Sequence, residues 1–377
     1  MKKFTLIFLL SLTCSILLIT CRQNKNVSDE EYLAFIDNVF KEIYDGRTAL
    51  LNASVDYEEF AKRILAEGND FDKKKLIEFL QTYFKLGSMM ADQIMDGADI
   101  RMIKFYRQDN VAHAIIRTYY NGGISVEDWE LEKKDDNIMI NDAFAIVSGI
   151  YWSDDWRTKA ANQFSVVDDD VLLNYKLIEI NELISVGAYE EADSSFFWVE
   201  QAIKNNLYGR TMKLNLASLS KSYEEVVAMS NAFLKSFPEQ KNIAEFYQMQ
   251  SAIQLGLTDK LSQHIDNLTN TLGNDPIYFV YQSWTYQRAG QLEMALQTLD
   301  SAIAYMPQVY DLYHNQLDIY YEIARYDDFV KLLYRIDTLF APTGEDVPFF
   351  EKTYPKLLKN KDFNTWKENR PIPQDMY

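Results

Sequence analysis

The sequence predicts an α+β module followed by an all-α array of about five helix pairs and a C-terminal capping segment. Three observations carry that reading. Residues 29–97 place apolar side chains at helical spacing, and residues 100–146 switch to the alternation of strands. From residue 173 one pattern returns about every 34 residues. A hydrophobic share of 47% with 14% aromatic residues supplies packed cores and excludes a disordered chain.

The first residues read as an export signal rather than as part of the fold. Lys2 and Lys3 precede an apolar run from Phe4 to Ile19, and Arg22-Gln23-Asn24-Lys25-Asn26 is polar. With Cys21 at the boundary, the segment resembles a bacterial lipoprotein signal. That resemblance implies a diacylated Cys21 as the new N-terminus and an exported domain anchored to the cell envelope by lipid. Arg22 is not the aspartate that retains such proteins in the inner membrane, so the outer membrane is favoured. The alternative is an uncleaved anchor helix, for which Phe4–Thr20 is short of the ~20 residues of a span. The expected organisation is signal 1–20, polar tether 21–28, α+β module 29–150, linker 151–172, helical repeats 173–342 and cap 343–377.

Charge and composition exclude several classes of function. The net charge is −18, and without Lys2 and Lys3 the remainder holds 36 basic and 56 acidic residues, a net of −20. Such a field repels phosphate backbones, so no nucleic acid is expected as a partner. Cys14 leaves with the signal and Cys21 carries lipid, which leaves no disulfide. His113, His264 and His314 are the only histidines, and no HExxH, GxSxG or phosphate-cradling glycine loop is present. No catalytic residue, metal site or cofactor is therefore predicted, and the chain is read as no enzyme.

In the first module Ser28-Asp29-Glu30-Glu31 has the form of a capping box. It opens a helix that buries Leu33, Ile36, Phe40, Ile43 and Tyr44. A second box, Asp56 to Glu59, opens a short helix with Phe60 and Ile64. A third helix starts near Phe71 and is read through Met89, Met90 and Ile94 to Gly97. Ile100–Arg107, Val111–Tyr120, Ile124–Lys134 and Ile138–Ile146 then read as four strands with turn clusters between them, Asn121-Gly122 being the strongest hairpin signal. Strands so closely spaced form an antiparallel meander with the helices on one face. The apolar phase slips between Val126 and Trp129, which predicts a bulge. The order of elements resembles cystatin-like and NTF2-like folds. The stretches around Arg117-Thr-Tyr-Tyr-Asn and Gly149-Ile-Tyr-Trp-Ser-Asp-Asp-Trp156 also resemble N-terminal modules that precede helical repeats in lipoproteins of Bacteroidetes.

One face of the second strand carries His113, Ile115, Arg117 and Tyr119. A functional reading makes His113 and Arg117, with Asp142, the polar groups of a ligand pocket. The favoured reading is structural, with Arg117 paired to a carboxylate such as Glu130. Trp152, Asp154, Asp155 and Trp156 are read as the joint between modules.

The clearest repeat runs from Pro276 to Val309, with Ser283, Tyr286, Gly290, Ala295, Leu299, Ala302 and Pro307 at its key places. Units starting at 173, 207, 242, 276 and 310 stay in phase, the last reaching Pro342. These units resemble tetratricopeptide repeats. The resemblance implies a right-handed solenoid with a concave groove lined by the first helix of each pair. The segment with Phe349, Phe350, Tyr354, Leu357, Phe363 and Trp366 is expected to cap the last apolar edge.

By analogy with that family, the groove-facing candidates are Asn181, Asn215, Phe246, Gln250, Trp284, Gln287, Arg288, His314, Asp318 and Tyr321. Amides at such places hold an extended peptide backbone, and exposed aromatic rings anchor its side chains. Leu177 stands where carboxylate-clamping members carry lysine, so a C-terminal carboxylate is not expected in this groove. The leading expectation is a lipid-anchored scaffold that binds a protein or peptide in the groove. The alternatives are a ligand-binding or hydrolytic first module with the repeats as a docking arm, and an accessory subunit of an envelope assembly or uptake complex.

Overall fold

The computed structural model describes residues 27–66, 71–120, 122–166, 169–340 and 346–369. The signal, Cys21 and Asn121 lie outside the described residues, as do the Pro342 that closes the last repeat and much of the loop after it. No helix among the described residues is long and apolar enough to cross a membrane.

Among the described residues five helices precede the sheet: α1 (Asp29–Tyr44), α2 (Ala49–Ala53), α3 (Tyr57–Ala66), α4 (Lys73–Tyr83) and α5 (Leu86–Met95). Ser28 caps α1 by accepting from the Glu31 amide, and Asp56 does the same for Glu59 in α3. The buried stripe of α1 is Tyr32, Ile36, Val39 and Ile43; Ile36 and Ile43 are buried as expected, whereas Leu33 and Phe40 are half-buried and Tyr44 is exposed. Tyr44 sits at the edge, where its hydroxyl bridges the Ile100 backbone at 3.0 Å on both sides. The helix expected to run from Phe71 to Gly97 is broken at Phe84 and Lys85. The freed Phe84 carbonyl accepts from the Tyr57 hydroxyl at 2.8 Å. The break lets α5 approach α2 so closely that a Cβ on Gly87 would lie 2.5 Å from the Thr48 carbonyl.

The strands β1 (Asp99–Gln108), β2 (Val111–Tyr120), β3 (Gly123–Lys134), β4 (Asn137–Ala145) and the two-residue β5 (Ile150–Tyr151) form an antiparallel meander in the order β1-β2-β3-β4-β5. Register shifts fall at Met102/Lys104 and at Glu130/Leu131, not between Val126 and Trp129. The apparent slip has another cause: both faces of the sheet are buried. Ala112, Ala114, Ile116, Trp129 and Leu131 pack on the helices, whereas Ile115, Tyr119, Val126 and Ile146 pack on the repeats. An odd separation between Val126 and Trp129 is what a regular strand needs to serve two cores.

The span 151–172, expected to be a linker, is a packed element. Helix α6 (Trp152–Phe164) buries Trp156, Ala160 and Ala161 in the core of the first module, and Phe84 meets Trp152 edge-on at 5.3 Å and Trp156 in a tilted contact at 5.0 Å. Its aromatic rings complete the helical layer, so the first module extends past residue 150.

Ten helices pair in sequence: α7 (Asp169–Ser185) with α8 (Tyr189–Val199), α9 (Leu207–Ser220) with α10 (Tyr223–Ser236), α11 (Lys241–Gln254) with α12 (Thr258–Leu272), α13 (Ile277–Arg288) with α14 (Leu292–Tyr305), and α15 (Tyr310–Glu322) with α16 (Tyr326–Phe340). Four of the five pairs turn through a left-handed residue, and Ala324 takes that place at φ 59° where the others have glycine. Gly256 is needed for space as well, since a Cβ there would lie 2.9 Å from the Ala289 amide of the next pair. The second pair instead starts α10 with a full capping box between Ser222 and Glu225. Helices α17 (Asp346–Thr353) and α18 (Lys361–Glu368) close the stack, with Phe350, Tyr354, Leu357, Phe363 and Trp366 buried in the main core.

A cleft between the modules as candidate functional site

The concave side of the solenoid is not an open hollow. The face of β2 that carries Ile115, Arg117 and Tyr119 docks into it, and Ile115 and Tyr119 share one core with Leu214, Phe246, Val280 and Leu312. A buried ionic lock sits at this junction. Both carboxylate oxygens of Asp275, just before α13, accept from Arg117 at 2.8 and 2.9 Å. Arg117 also donates to the side chain and carbonyl of Asp99, and Asp99 receives Arg101 and Gln308. Burial alone would raise the Asp99 pKa, but Arg101 and Arg117 outweigh it and hold the carboxyl below its usual range. Burial likewise disfavours the charged guanidinium of Arg117, and its two carboxylates more than offset that.

Further contacts seal the junction. Tyr247 donates to the Val147 carbonyl at 2.6 Å, and Lys104 donates to the Thr271 carbonyl. Gly149 abuts Thr211 of α9 so closely that a Cβ on the glycine would lie 2.4 Å from the Thr211 hydroxyl oxygen. At the far end the cap covers the last unit. Tyr354 donates to Asp318 at 2.7 Å, the Tyr321 hydroxyl accepts from the Lys356 amide at 3.3 Å, and His314 lies against Phe349 and Phe350.

Between hairpin and solenoid a cleft remains, in two adjoining cavities that share Gly122 and Trp284. The first, about 280 Å³, has Gly122, Gly123 and Ile124 of the β2–β3 hairpin on one side and Asn215, Phe246 and Gln250 on the other. The second, about 390 Å³, lies between Tyr119 and the residues His314, Asn315 and Asp318 of α15. Each has a buried tyrosine among its lining residues, Tyr281 in the first and Tyr119 in the second, whose hydroxyl is enclosed by packing and has no hydrogen-bond partner. Burial pushes both phenols well above their ordinary pKa, so they stay neutral donors.

Six of the ten groove candidates therefore line this cleft: Asn215, Phe246, Gln250, Trp284, His314 and Asp318. Phe246 is more wall than anchor, being buried against Tyr247. The other four lie elsewhere. Asn181 is exposed on α7, Arg288 is exposed 3.5 Å from Gln254, the Gln287 amide nitrogen is buried without a partner, and Tyr321 is under the cap.

The pocket suggested around His113, Arg117 and Asp142 is not assembled. Arg117 is spent in the lock, and its partners are Asp99 and Asp275 rather than Glu130. His113 stacks on Tyr106 at 4.8 Å and meets Asp128 at 3.1 Å. Asp142 lies in a separate buried group, where Ser153 donates to it at 2.6 Å and Arg63 approaches at 3.5 Å. Burial raises its pKa to about 6. Among the described residues no group of three or more His, Cys, Asp or Glu is placed to hold a metal ion.

Asp99, Asp275, Gly149 and Thr211 were not predicted as interface residues. The available signal was the apolar character of both faces of β2, which a sheet with one solvated side does not need.

No family model matches the chain, and no curated protein matches it. Among solved structures it is similar to a tetratricopeptide repeat protein from Parabacteroides merdae ATCC 43184, at 16% identity over 59% of this chain and 87% of that one, with a TM-score of 0.38. On its own coordinates the described part of the chain is an α+β module clasped by a solenoid of five helix pairs and a cap.

Proposed function

We propose that this protein is a lipid-anchored, non-enzymatic interaction protein of the cell envelope, in which both modules together form the receptor. The ligand is a short extended peptide segment of a partner protein, laid in the cleft between the β2–β3 hairpin and the solenoid. The observation that carries this reading is the pair of unpartnered buried hydroxyls of Tyr119 and Tyr281, two tyrosines that line adjoining cavities. A buried donor left unsatisfied costs about 1–3 kcal/mol. A small turn of each ring toward the cleft would let its hydroxyl donate to a peptide carbonyl, while the Asn215 and Gln250 amides pair with backbone and Trp284 receives a side chain. The sequence expectation of a long open groove is thereby reduced to a cleft with room for a few residues.

Anchoring through Cys21 supports the same reading, since confinement at a membrane raises the effective concentration of a partner without chemistry. The test uses the full chain in nanodiscs, panned against a random peptide library. Selected peptides should lose at least tenfold in affinity for a Trp284→Ala variant and for Tyr281→Phe, yet bind an Asn181→Ala variant unchanged. Peptides insensitive to both cleft substitutions would refute the cleft as the receptor. Metabolic labelling with a palmitate analogue should mark the wild type and not Cys21→Ala.

A further inference from the structure

We propose a second site, on the side of α9 turned away from the cleft, that takes a carboxylate carried on an apolar group. It lies where the second helix of a pair ends early. Helix α8 has 11 residues, whereas α10, α12, α14 and α16 have 14 or 15. The α-helix stops early, and the chain reaches α9 through a 3-10 turn (Ala202–Asn205) whose Ile203 is buried with Met212 and Leu216. The apolar core divides at the same place. Met212 and Leu216 join the small cluster of the first pair, while Leu214 and Phe233 join the large one.

The result is a cavity of about 380 Å³ with Leu214, Met229 and Phe233 for its apolar part. That volume is in the range of small-molecule sites. Three cations, Arg210, Lys213 and Lys221, converge on it in a chain whose net charge is −18. Two acids, Asp193 and Glu200, also line it. Glu200 follows the last turn of the short helix and lies across the mouth, 3.4 Å from Arg210 and paired with Lys213. It already holds a carboxylate where a ligand's would go. The charge of Lys221 is felt by Glu225, but its ammonium makes no hydrogen bond or ion pair among the described residues.

The cavity is bordered by uncovered aromatic surface. Phe197 and Trp198, in edge contact at 5.5 Å, are 75% and 82% exposed. Phe197 lies one helical turn beyond Asp193 and three residues before Glu200, so it shares their face of α8. An occupant therefore meets cations at the mouth and hydrocarbon beneath and beside them. A carboxylate suits Arg210 and Lys213 because its two oxygens can accept from both at once. The same chemistry is presented by a short fatty acid and by the last residue of a polypeptide.

The experiment titrates the full chain in nanodiscs of zwitterionic lipid with hexanoate and hexanamide, and with a peptide ending in leucine as free acid or amide. Carboxyl-labelled probes are followed by NMR. The free acids should bind at least tenfold tighter than the amides, and Arg210→Gln or Lys221→Gln should remove most of that difference. Glu200→Gln should act in the opposite direction and tighten binding several-fold, because it releases Arg210 and Lys213 from their internal partner. That opposite sign separates a site from mere damage to the fold. Tighter binding of hexanoate assigns an acyl source, and tighter binding of the peptide acid assigns a polypeptide end. Equal binding of acid and amide, no binding of either acid, or weaker binding to Glu200→Gln would overturn the proposal.

Discussion

Arg117 on β2 and Asp275 before α13 are 158 residues apart in sequence and meet through two hydrogen bonds of 2.8 and 2.9 Å, both side chains fully buried. This pair decides how the two modules sit on one another, because a guanidinium fork and a carboxylate accept each other in essentially one relative orientation. It also explains why the concave side of the solenoid is closed: the β2 face is its filling.

Removing one partner leaves the other charge buried and alone. Asp275→Ala should therefore destabilise the chain by about 3–5 kcal/mol in denaturant titration. Replacing both ends by apolar residues, Arg117→Met with Asp275→Leu, should cost less than Asp275→Ala alone. A double variant as unstable as the sum of its parts would show that packing, not the ion pair, carries the interface.

The contact between Gly149 and Thr211 offers an independent check of the docking. Gly149 has φ +70°, and an added Cβ would come within 2.4 Å of the Thr211 hydroxyl oxygen, which has no hydrogen-bond partner of its own. Gly149→Ala should cost about 1–3 kcal/mol, combining the strained backbone with the clash. Thr211→Ala should be close to neutral and should recover part of that loss. A coupling energy of roughly 0.5–3 kcal/mol is expected from the double-mutant cycle, and zero coupling would separate the two residues in solution.

Asp142 gives the chain a pH dependence of unusual sign. Burial raises its folded pKa to about 6, above the unfolded value of ~3.9. The native state then binds the extra proton, so the contribution to stability is present at low pH and is lost as pH rises through about 6. Burial acts in the same direction on Glu127, which accepts from Trp129. Between pH 5 and pH 7 the Asp142 contribution should fall by ~1 kcal/mol, and Asp142→Asn should flatten that part of the profile. The pH dependence of the denaturation midpoint reads it directly. An unchanged slope in the variant would place the titration elsewhere.

The repeats were legible because their signal is local. Gly187, Gly256 and Gly290 mark the turns of three pairs, a buried apolar residue recurs at the place of Ala295 in all five, and each pair packs mainly on its neighbours. The meander was equally legible from its turns and alternation. Where sequence reading failed, the cause lay at a distance. The phase change between Val126 and Trp129 reads as a bulge when one buried face is assumed, and as a regular strand once two cores are known. The linker reading of 151–172 overlooked that Trp152 and Trp156 complete a core begun by Phe84, some seventy residues earlier.

The same division holds for the candidate site. Amides and aromatic rings at Asn215, Gln250 and Trp284 could be placed on one side of a solenoid from the repeat register alone. That Tyr119 and Gly122 face them could not, because nothing in a 34-residue pattern records which other element enters the hollow. Sequence by itself determined the elements, the repeat and the acidic charge, since these follow from spacing and composition within a few turns of chain. Tertiary structure alone decided that the hollow is filled, that Arg117 is a lock rather than a ligand group, and that a cleft survives beside Trp284. Those outcomes depend on burying charges and apolar faces contributed by segments more than a hundred residues apart, and only the closed packing of both modules brings them together.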